Sequence, residues 1–195
     1  MSDEAPILFS APMVRAILNG TKTMTRRVMK PQPEVALGIG PAWRGTDNVD
    51  LWATHAKWKM GKICWVRENF WERPARSLRD LRDGADTWPP YVYDADEGVD
   101  AEQLKEWGWA HRPSIHLPRK ASRITLEVTA VRCEQLQQIT TRDAIAEGVE
   151  YDVSLPDGAP TMRFHYLWDS IHVKDGFNWK ANPFVFVVSF KRISP

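Results

Sequence analysis

The sequence is poor in cysteine, in net charge and in long apolar runs, and each shortage excludes a class of protein. Two cysteines in 195 residues, Cys64 and Cys133, are too few for a disulfide scaffold, so we expect free thiols and a cytoplasmic protein. No run of about 18 apolar residues occurs, which excludes a membrane-spanning helix. The acidic start, with Asp3 and Glu4, is unlike a signal peptide. With 26 basic and 25 acidic residues, the chain has no overall charge to attract a polyanion.

Tryptophan, by contrast, is abundant. Ten tryptophans are more than a core of this size requires, so they either build an aromatic core or line a surface that stacks flat ligands. We expect Trp65 and Trp71, which share one face of a strand, and Trp168, on the apolar face of a helix, to belong to the core. Four others lie in loops or in an insertion, and at least one of them is a candidate for stacking a base: Trp43, Trp88, Trp107 and Trp109.

The near-zero net charge hides a segregation of charge along the chain. Residues 5–32 contain five basic residues and residues 107–126 contain four, and neither segment contains an acid. Between them, residues 80–106 contain nine acidic residues against two basic ones. Either the two basic segments form one polyanion site, or they lie apart and pair with the acidic segment; the sequence leaves both open.

Apolar periodicity and turn residues predict an α+β chain. The first helix is expected to bury Met13 among its apolar residues, and the last is expected to bury Leu167 and Ile171 beside Phe164 and Trp168. Residues 31–50, rich in proline and glycine, are predicted to be loop. Strands are predicted at 7–9, 61–71, 91–93, 122–135 and 184–193, and helices at 11–19, 100–107, 142–147 and 161–172.

The order of these elements predicts the architecture. Too few helices alternate with strands for a doubly wound sheet, so we expect a small mixed or mostly antiparallel β-barrel with flanking helices. The length fits one domain spanning residues 1–195. Residues 73–117 are acidic and rich in proline, and we interpret them as a long insertion.

The stretch Asn19–Arg27 has the strongest chemical character. In an extended strand, Lys22 and Thr25 would point to opposite faces, whereas in a turn or bulge residues three apart share a side. Gly20 favours the second arrangement. A lysine beside a hydroxyl can bind phosphate, or, after losing its proton, can activate the threonine as a nucleophile. The structural alternative is a basic strand edge with solvated threonines.

The segment Gly20-Thr21-Lys22-Thr23-Met24-Thr25-Arg26-Arg27 resembles the glycine-x-lysine-x-x-threonine-x-arginine signature of the ASCH domain family. Residues 61–68 and 122–133 resemble two strands of that family, and the helix ending at Ala146-Glu147-Gly148 resembles the helix that follows. The resemblance covers about residues 6–72 and 117–193, and it is strongest toward the ASCH proteins of phages and prophages. It implies a PUA-like β-barrel that binds a nucleobase, a nucleoside or RNA.

The resemblance also implies a site. Small bacterial members of the family are amidohydrolases that deacetylate N(4)-acetylcytidine, with a lysine as proton acceptor, a threonine as nucleophile and a glutamate as proton donor. These roles fall on Lys22, Thr25 and Glu147, and together they meet the needs of amide hydrolysis. Five further residues are candidates for substrate binding, with Glu68 as a reserve acid: Arg26, Arg27, Arg67, Glu68 and Arg123.

Two functions therefore remain open, with a modified nucleoside or RNA as the expected partner and no membrane. One is hydrolysis of an acylated cytidine. The other is a non-catalytic RNA-binding or regulatory module in which Lys22, Arg26 and Arg27 hold phosphates; RNA cleavage is a third, without paired histidines to support it. We expect no cofactor and no metal, because no cysteine or carboxylate cluster completes a site with the histidines.

Overall fold

In the computed structural model of the protein, the described residues are 4–35, 41–44, 47–74, 89–152, 154, 159–172 and 174–193. They form ten strands and five α-helices. The strands are β1 (Glu4–Leu8), β2 (Met24–Val28), β3 (Glu34–Val35), β4 (Pro41–Ala42), β5 (Ile63–Arg67), β6 (Phe70–Glu72), β7 (Tyr91–Tyr93), β8 (Ala110–Arg112), β9 (Thr125–Gln135) and β10 (Phe184–Arg192). The helices are α1 (Ala11–Leu18), α2 (Val49–Ala53), α3 (Ala101–Glu106), α4 (Thr141–Ala146) and α5 (Pro160–His172).

A five-stranded sheet forms the centre of the fold, in the order β1-β5-β9-β10-β2. Only β1 and β5 pair in parallel, and the other three pairings are antiparallel. The predicted α+β class and mostly antiparallel pairing are therefore confirmed. Closure into a barrel is not seen among the described strands, because pairing ends at β1 on one side and at β2 on the other. A side chain spans this gap, where Arg27 donates from Nη2 to the Leu8 carbonyl at 2.6 Å.

Both faces of the central sheet are covered by other elements. This explains why β10 begins with an unbroken apolar run, residues 184–188. Phe186, Val188 and Phe190 face a core shared with α1 and α2, whereas Val185 and Val187 face a second core with α4 and α5. A strand buried on both faces needs no polar alternation.

The neighbouring strand β9 alternates as predicted only in its first half. Leu126 and Val128 are buried, but Ala130, which the alternation places inside, is exposed. The pairing with β10 shifts register here, so that Thr129 is an extra residue between two paired ones. Because the side-chain period is two, one extra residue reverses which side chains face the core.

The acidic insertion has its own small sheet, β7-β6-β8, and its own apolar clusters. The predicted strand at 91–93 is confirmed, and so is the predicted helix, which α3 forms after Asp100 caps the amides of Glu102 and Gln103. The predicted strand at 61–71 is interrupted, since β5 ends at Arg67 and β6 begins at Phe70. The sequence analysis missed β8, whose three residues Ala-His-Arg carry no apolar run.

Two of the four tryptophans predicted in loops or in the insertion turn out to be core residues. Trp43 is buried with its ring against Trp52 and Phe186, because β3, β4 and α2 fold residues of the predicted 31–50 loop onto the central sheet. Trp109 is buried in the insertion beside Trp71. Trp65, Trp71 and Trp168 are buried, as expected. Trp107 is 47% exposed, and Trp88 lies outside the described residues.

Helix burial departs from the predicted faces at three positions. In α1, Val14 is buried and Met13 is only half-buried. In α5, Phe164 and Trp168 are buried, but Leu167 is half-buried and Ile171 is 53% exposed. All three departing side chains line one cleft, and Met13 also packs against the core shared with α1 and α2.

The longest described helix, α5, has 13 residues, and none of the described helices is long and apolar enough to cross a membrane.

Candidate functional site

The end of α4 packs directly on the segment that precedes β2. Thr140 caps α4 by accepting from the Asp143 amide, and the helix ends at Ala146 with Glu147 as its C-cap, one residue before the predicted end. Lys22 and Glu147 then form an isolated antiparallel bridge, and the Thr23 amide donates to the Ala146 carbonyl at 2.9 Å. Two short backbone segments far apart in sequence are thereby held in register.

A glycine makes this approach possible. Gly148 has φ +77°, and a Cβ placed on it would lie 2.7 Å from the Lys22 Cβ and 2.8 Å from the Ala16 Cβ. These distances are shorter than side-chain carbons tolerate, so the contact requires glycine for space as well as for backbone conformation.

Lys22 and Glu147 form a buried ion pair at this contact, with 2% and 4% of their surfaces exposed. The lysine Nζ lies 2.8 Å from the Glu147 Oε2 and donates to the Glu147 carbonyl oxygen at 2.7 Å. Burial lowers the pKa of Lys22, Glu147 acts in the opposite direction, and the charges of Arg27 and Arg26 lower the pKa further. The amine therefore loses its proton more easily than an exposed lysine does.

Arg26 extends the pair into a network. Its Nη1 donates to the Glu147 Oε1 at 3.2 Å, while its Nη2 contacts Glu134 at 2.6 Å and Asp143 at 3.0 Å. The guanidinium side chain is completely buried, so its charge is matched within the protein.

Arg132 closes the network from the exposed side, with contacts of 2.8 Å to Glu134 and 2.7 Å to Asp143. Although burial alone would raise it, the charges of Arg132 and Arg26 keep the pKa of Asp143 below its usual value. Asp143 is therefore held in its ionised form beside Arg26 and Arg132.

A cleft of about 560 Å³ opens where the central sheet fails to close. Thr25, Arg26, Arg27 and Glu147 line it, while Lys22 lies behind Glu147. The remaining walls are the end of β1 and start of α1 (Leu8, Phe9, Ser10, Pro12, Met13), the next residue of β2 (Val28), one face of α5 (Phe164, Leu167, Trp168, Ser170, Ile171, His172), and Asn69 and Ser114.

Thr25 is only 4% exposed, and its hydroxyl makes no side-chain hydrogen bond within the described residues. Strand β2 begins at Met24, so the alternation of an extended strand does not extend back to Lys22, which belongs to the bridge with α4. This break brings both Lys22 and Thr25 to the buried side.

Arg27 lies in the same cleft but differs from Arg26 in its partners. Its guanidinium lies over the rings of Phe9 at 5.2 Å and Trp58 at 5.7 Å. Its one hydrogen bond within the described residues goes to the Leu8 carbonyl, and its buried Nε has no partner. Burial lowers the pKa of Arg27, although the charge of Glu147 acts against this.

Three predicted binding residues are not brought to the cleft. Arg67 stacks on Trp65, with its guanidinium 4.6 Å from the ring centroid. Glu68 is buried and makes two hydrogen bonds with Arg123, at 3.0 and 2.9 Å, and Arg123 also pairs with Asp96 of the insertion. Burial raises the pKa of Glu68, although Arg123 opposes this. The Glu68–Arg123 pair thus joins the central sheet to the insertion.

Sequence reasoning missed the carboxylates that hold Arg26. Arg132 and Glu134 are two residues apart on β9 and therefore share a face, which was a usable signal of a charged cluster on the central strand. The part played by Asp143 has no such signal, because it depends on how α4 packs against β2. Among the described residues, no group of three metal-ligating side chains forms a site.

Neither the family models nor the curated proteins compared with this chain match it. One solved structure does. It is the crystal structure of an ASCH domain from Lactobacillus crispatus, 12% identical, with 99% of this chain and 81% of that chain covered and a TM-score of 0.42. The chain is similar to an ASCH domain. That domain is named for the same family that the sequence motifs resemble.

Proposed function

We propose that the cleft binds a nucleoside and that Lys22, Thr25 and Glu147 hydrolyse the amide of an acylated cytidine there. The observation that carries the proposal is the buried Lys22–Glu147 pair beside Thr25, a hydroxyl that faces the cleft without a hydrogen bond in the described structure.

The size and lining of the cleft support a nucleoside as the ligand. Small-molecule sites occupy about 300–1,000 Å³, and a cleft of about 560 Å³ lies within that range. Phe9, Phe164 and Trp168 supply aromatic surface, which suits a flat base. Hydroxyl and amide groups around them suit the edges of a base and a ribose: Ser10, Asn69, Ser114 and Ser170.

The chemistry needs a neutral lysine and a protonated glutamate at the same time. Transfer of one proton within the Lys22–Glu147 contact supplies both without changing the charge of the cleft, and the burial that lowers the pKa of Lys22 favours the neutral amine. Lys22 then accepts the proton of the Thr25 hydroxyl while Oγ1 bonds to the acyl carbon. Glu147 donates its proton as the carbon–nitrogen bond breaks, and cytidine leaves with a free amino group.

Water completes the cycle. It attacks the acyl ester on Thr25 and gives one proton to Glu147. As the ester bond breaks, Lys22 returns its proton to the Thr25 Oγ1, so the acid is released and the threonine hydroxyl, the neutral lysine and the protonated glutamate are restored. The Arg26 contact at Oε1 orients the Glu147 carboxyl, so that Oε2 faces Lys22.

The test is acetate release from N(4)-acetylcytidine, followed by chromatography. We expect Lys22→Ala and Thr25→Ala to lose roughly 100- to 10,000-fold in rate, the range for removing a general base or a nucleophile that depends on one. Thr23→Ala is the matched control, because Thr23 is an exposed threonine in the same stretch. Retention of the wild-type rate by Thr25→Ala, with the folded spectrum intact, would refute the mechanism.

The second candidate function is RNA binding without catalysis. The sequence predicts Lys22, Arg26 and Arg27 as the phosphate contacts for this function. The first two are buried and matched by carboxylates, so only Arg27 keeps an unmatched charge at the cleft, and that residue is the observation favouring this candidate. A chain that binds RNA but leaves a panel of acylated nucleosides intact would support it.

A further inference from the structure

The charges around the cleft balance except at one residue. Within the buried network, three cations are matched by three carboxylates, each within 3.2 Å of its partner: Lys22, Arg26 and Arg132 against Glu134, Asp143 and Glu147. His172, the remaining basic residue of the lining, contacts Asp175 at 2.9 Å. Arg27 has no carboxylate within ion-pair distance among the described residues.

The position of Arg27 makes this unmatched charge costly. Its guanidinium lies between the aromatic surfaces of Phe9 and Trp58, where water cannot fully solvate it. A guanidinium carries five N–H donors, of which one is used on Leu8, and Nη1 makes no hydrogen bond in the described structure. An anion entering the cleft would supply both the missing charge and the missing acceptors.

We propose that Arg27 is an anion-binding residue of the cleft and that it binds a phosphate of the ligand, so that the ligand is a nucleotide, free or within RNA. The planar fork of arginine matches a phosphate with two parallel hydrogen bonds. The nucleoside part of this ligand rests on the proposed function, whereas the phosphate rests on the charge of Arg27 alone. Glu147 does not exclude the phosphate, because Lys22 and Arg26 neutralise it.

The experiment compares the binding of cytidine, cytidine 5′-monophosphate and a short cytidine-containing RNA by calorimetry. A charge-assisted contact of this kind is worth roughly 10- to 100-fold in affinity, so we expect the monophosphate or the RNA to bind that much more tightly than cytidine. In Arg27→Met, which removes the guanidinium but keeps an apolar side chain, the ratio should fall to about one. Arg27→Lys should keep part of the ratio.

Arg44→Met is the matched control, because Arg44 also places its guanidinium over an indole, 4.9 Å from the Trp43 ring, but does not line the cleft. It should keep the full ratio. Because each ratio is measured within one variant, a general loss of folded protein cancels. If the RNA binds more tightly than the monophosphate, the natural anion is a phosphodiester. If the monophosphate binds more tightly, the natural ligand is a mononucleotide.

Three results would overturn the inference: equal binding of cytidine and both phosphorylated ligands, a preference that survives in Arg27→Met, or binding of none of them. These outcomes separate from those of the hydrolysis assay. If phosphate is preferred through Arg27 but no acetate is released, only the amidohydrolase proposal is refuted. If acetate is released but phosphate is not preferred, only the proposed anion site is refuted.

Discussion

Replacing Gly148 by alanine tests the close approach that assembles the candidate site. Two costs are expected. The left-handed backbone at φ +77° costs any non-glycine residue about 1–2 kcal/mol. The added Cβ also meets Lys22 and Ala16 at 2.7 and 2.8 Å, and overpacking of this kind costs about 1–3 kcal/mol more.

Gly20 provides a control for the first cost alone. Its φ is +76°, almost the same as that of Gly148, but a Cβ placed on it meets nothing within 4 Å. Gly20→Ala should therefore lose only the backbone contribution, and the difference between the two variants measures the contact between α4 and the segment before β2.

Thermal unfolding followed by circular dichroism gives this difference. For a domain of this size each kcal/mol lowers Tm by about 2–4 °C, so Gly148→Ala should unfold roughly 2–12 °C below Gly20→Ala. Urea unfolding should give the same order in the free energy of unfolding. If both variants lose equal stability, Gly148 does not hold Glu147 against Lys22 in the way that the structure shows, and the geometry of the site is refuted.

Two further predictions concern buried groups. Glu147→Gln removes the one carboxylate that contacts Lys22 and should cost about 3–5 kcal/mol in urea unfolding, whereas Lys22→Met should cost less because Arg26 still contacts Glu147; equal losses would contradict this asymmetry. Burial raises the pKa of the Cys64 thiol to about 11 and that of Cys133 to about 12, so at pH 8 neither should react with a thiol reagent until the chain is unfolded. Rapid labelling of the native protein would show that these thiols are accessible.

Local signals in the sequence predicted α4 and β10, two elements beside the site, but not β2, which carries Thr25, Arg26 and Arg27. The cap at Thr140 and the glycine at 148 bounded α4 to within one residue, and the apolar run after Pro183 predicted β10, because capping and hydrophobic runs depend on neighbouring residues. Prediction failed where the structure depends on contacts between residues that are far apart in the sequence. The bulge at Thr129 depends on how β9 pairs with β10, and the burial of Trp43 depends on a contact with Phe186.

The candidate site also has features that could be predicted from the sequence and features that could not. The sequence by itself determined which residues have reactive side chains, and the resemblance to the ASCH family was what grouped Lys22, Thr25 and Glu147 as an expected site. It also determined the α+β class, because periodicity and turn residues are local properties.

Only the tertiary structure decided which charges remain available to a ligand. Arg26 and Arg27 are neighbours on β2; the resembled signature has its arginine at Arg27, but it does not indicate which of the two side chains meets carboxylates. Alternating strand geometry turns their side chains to different surroundings, so one meets three carboxylates and the other meets two aromatic rings and a carbonyl. The free energy of a charge depends on its solvation and its partners, and for Arg26 those partners lie more than a hundred positions away in the sequence.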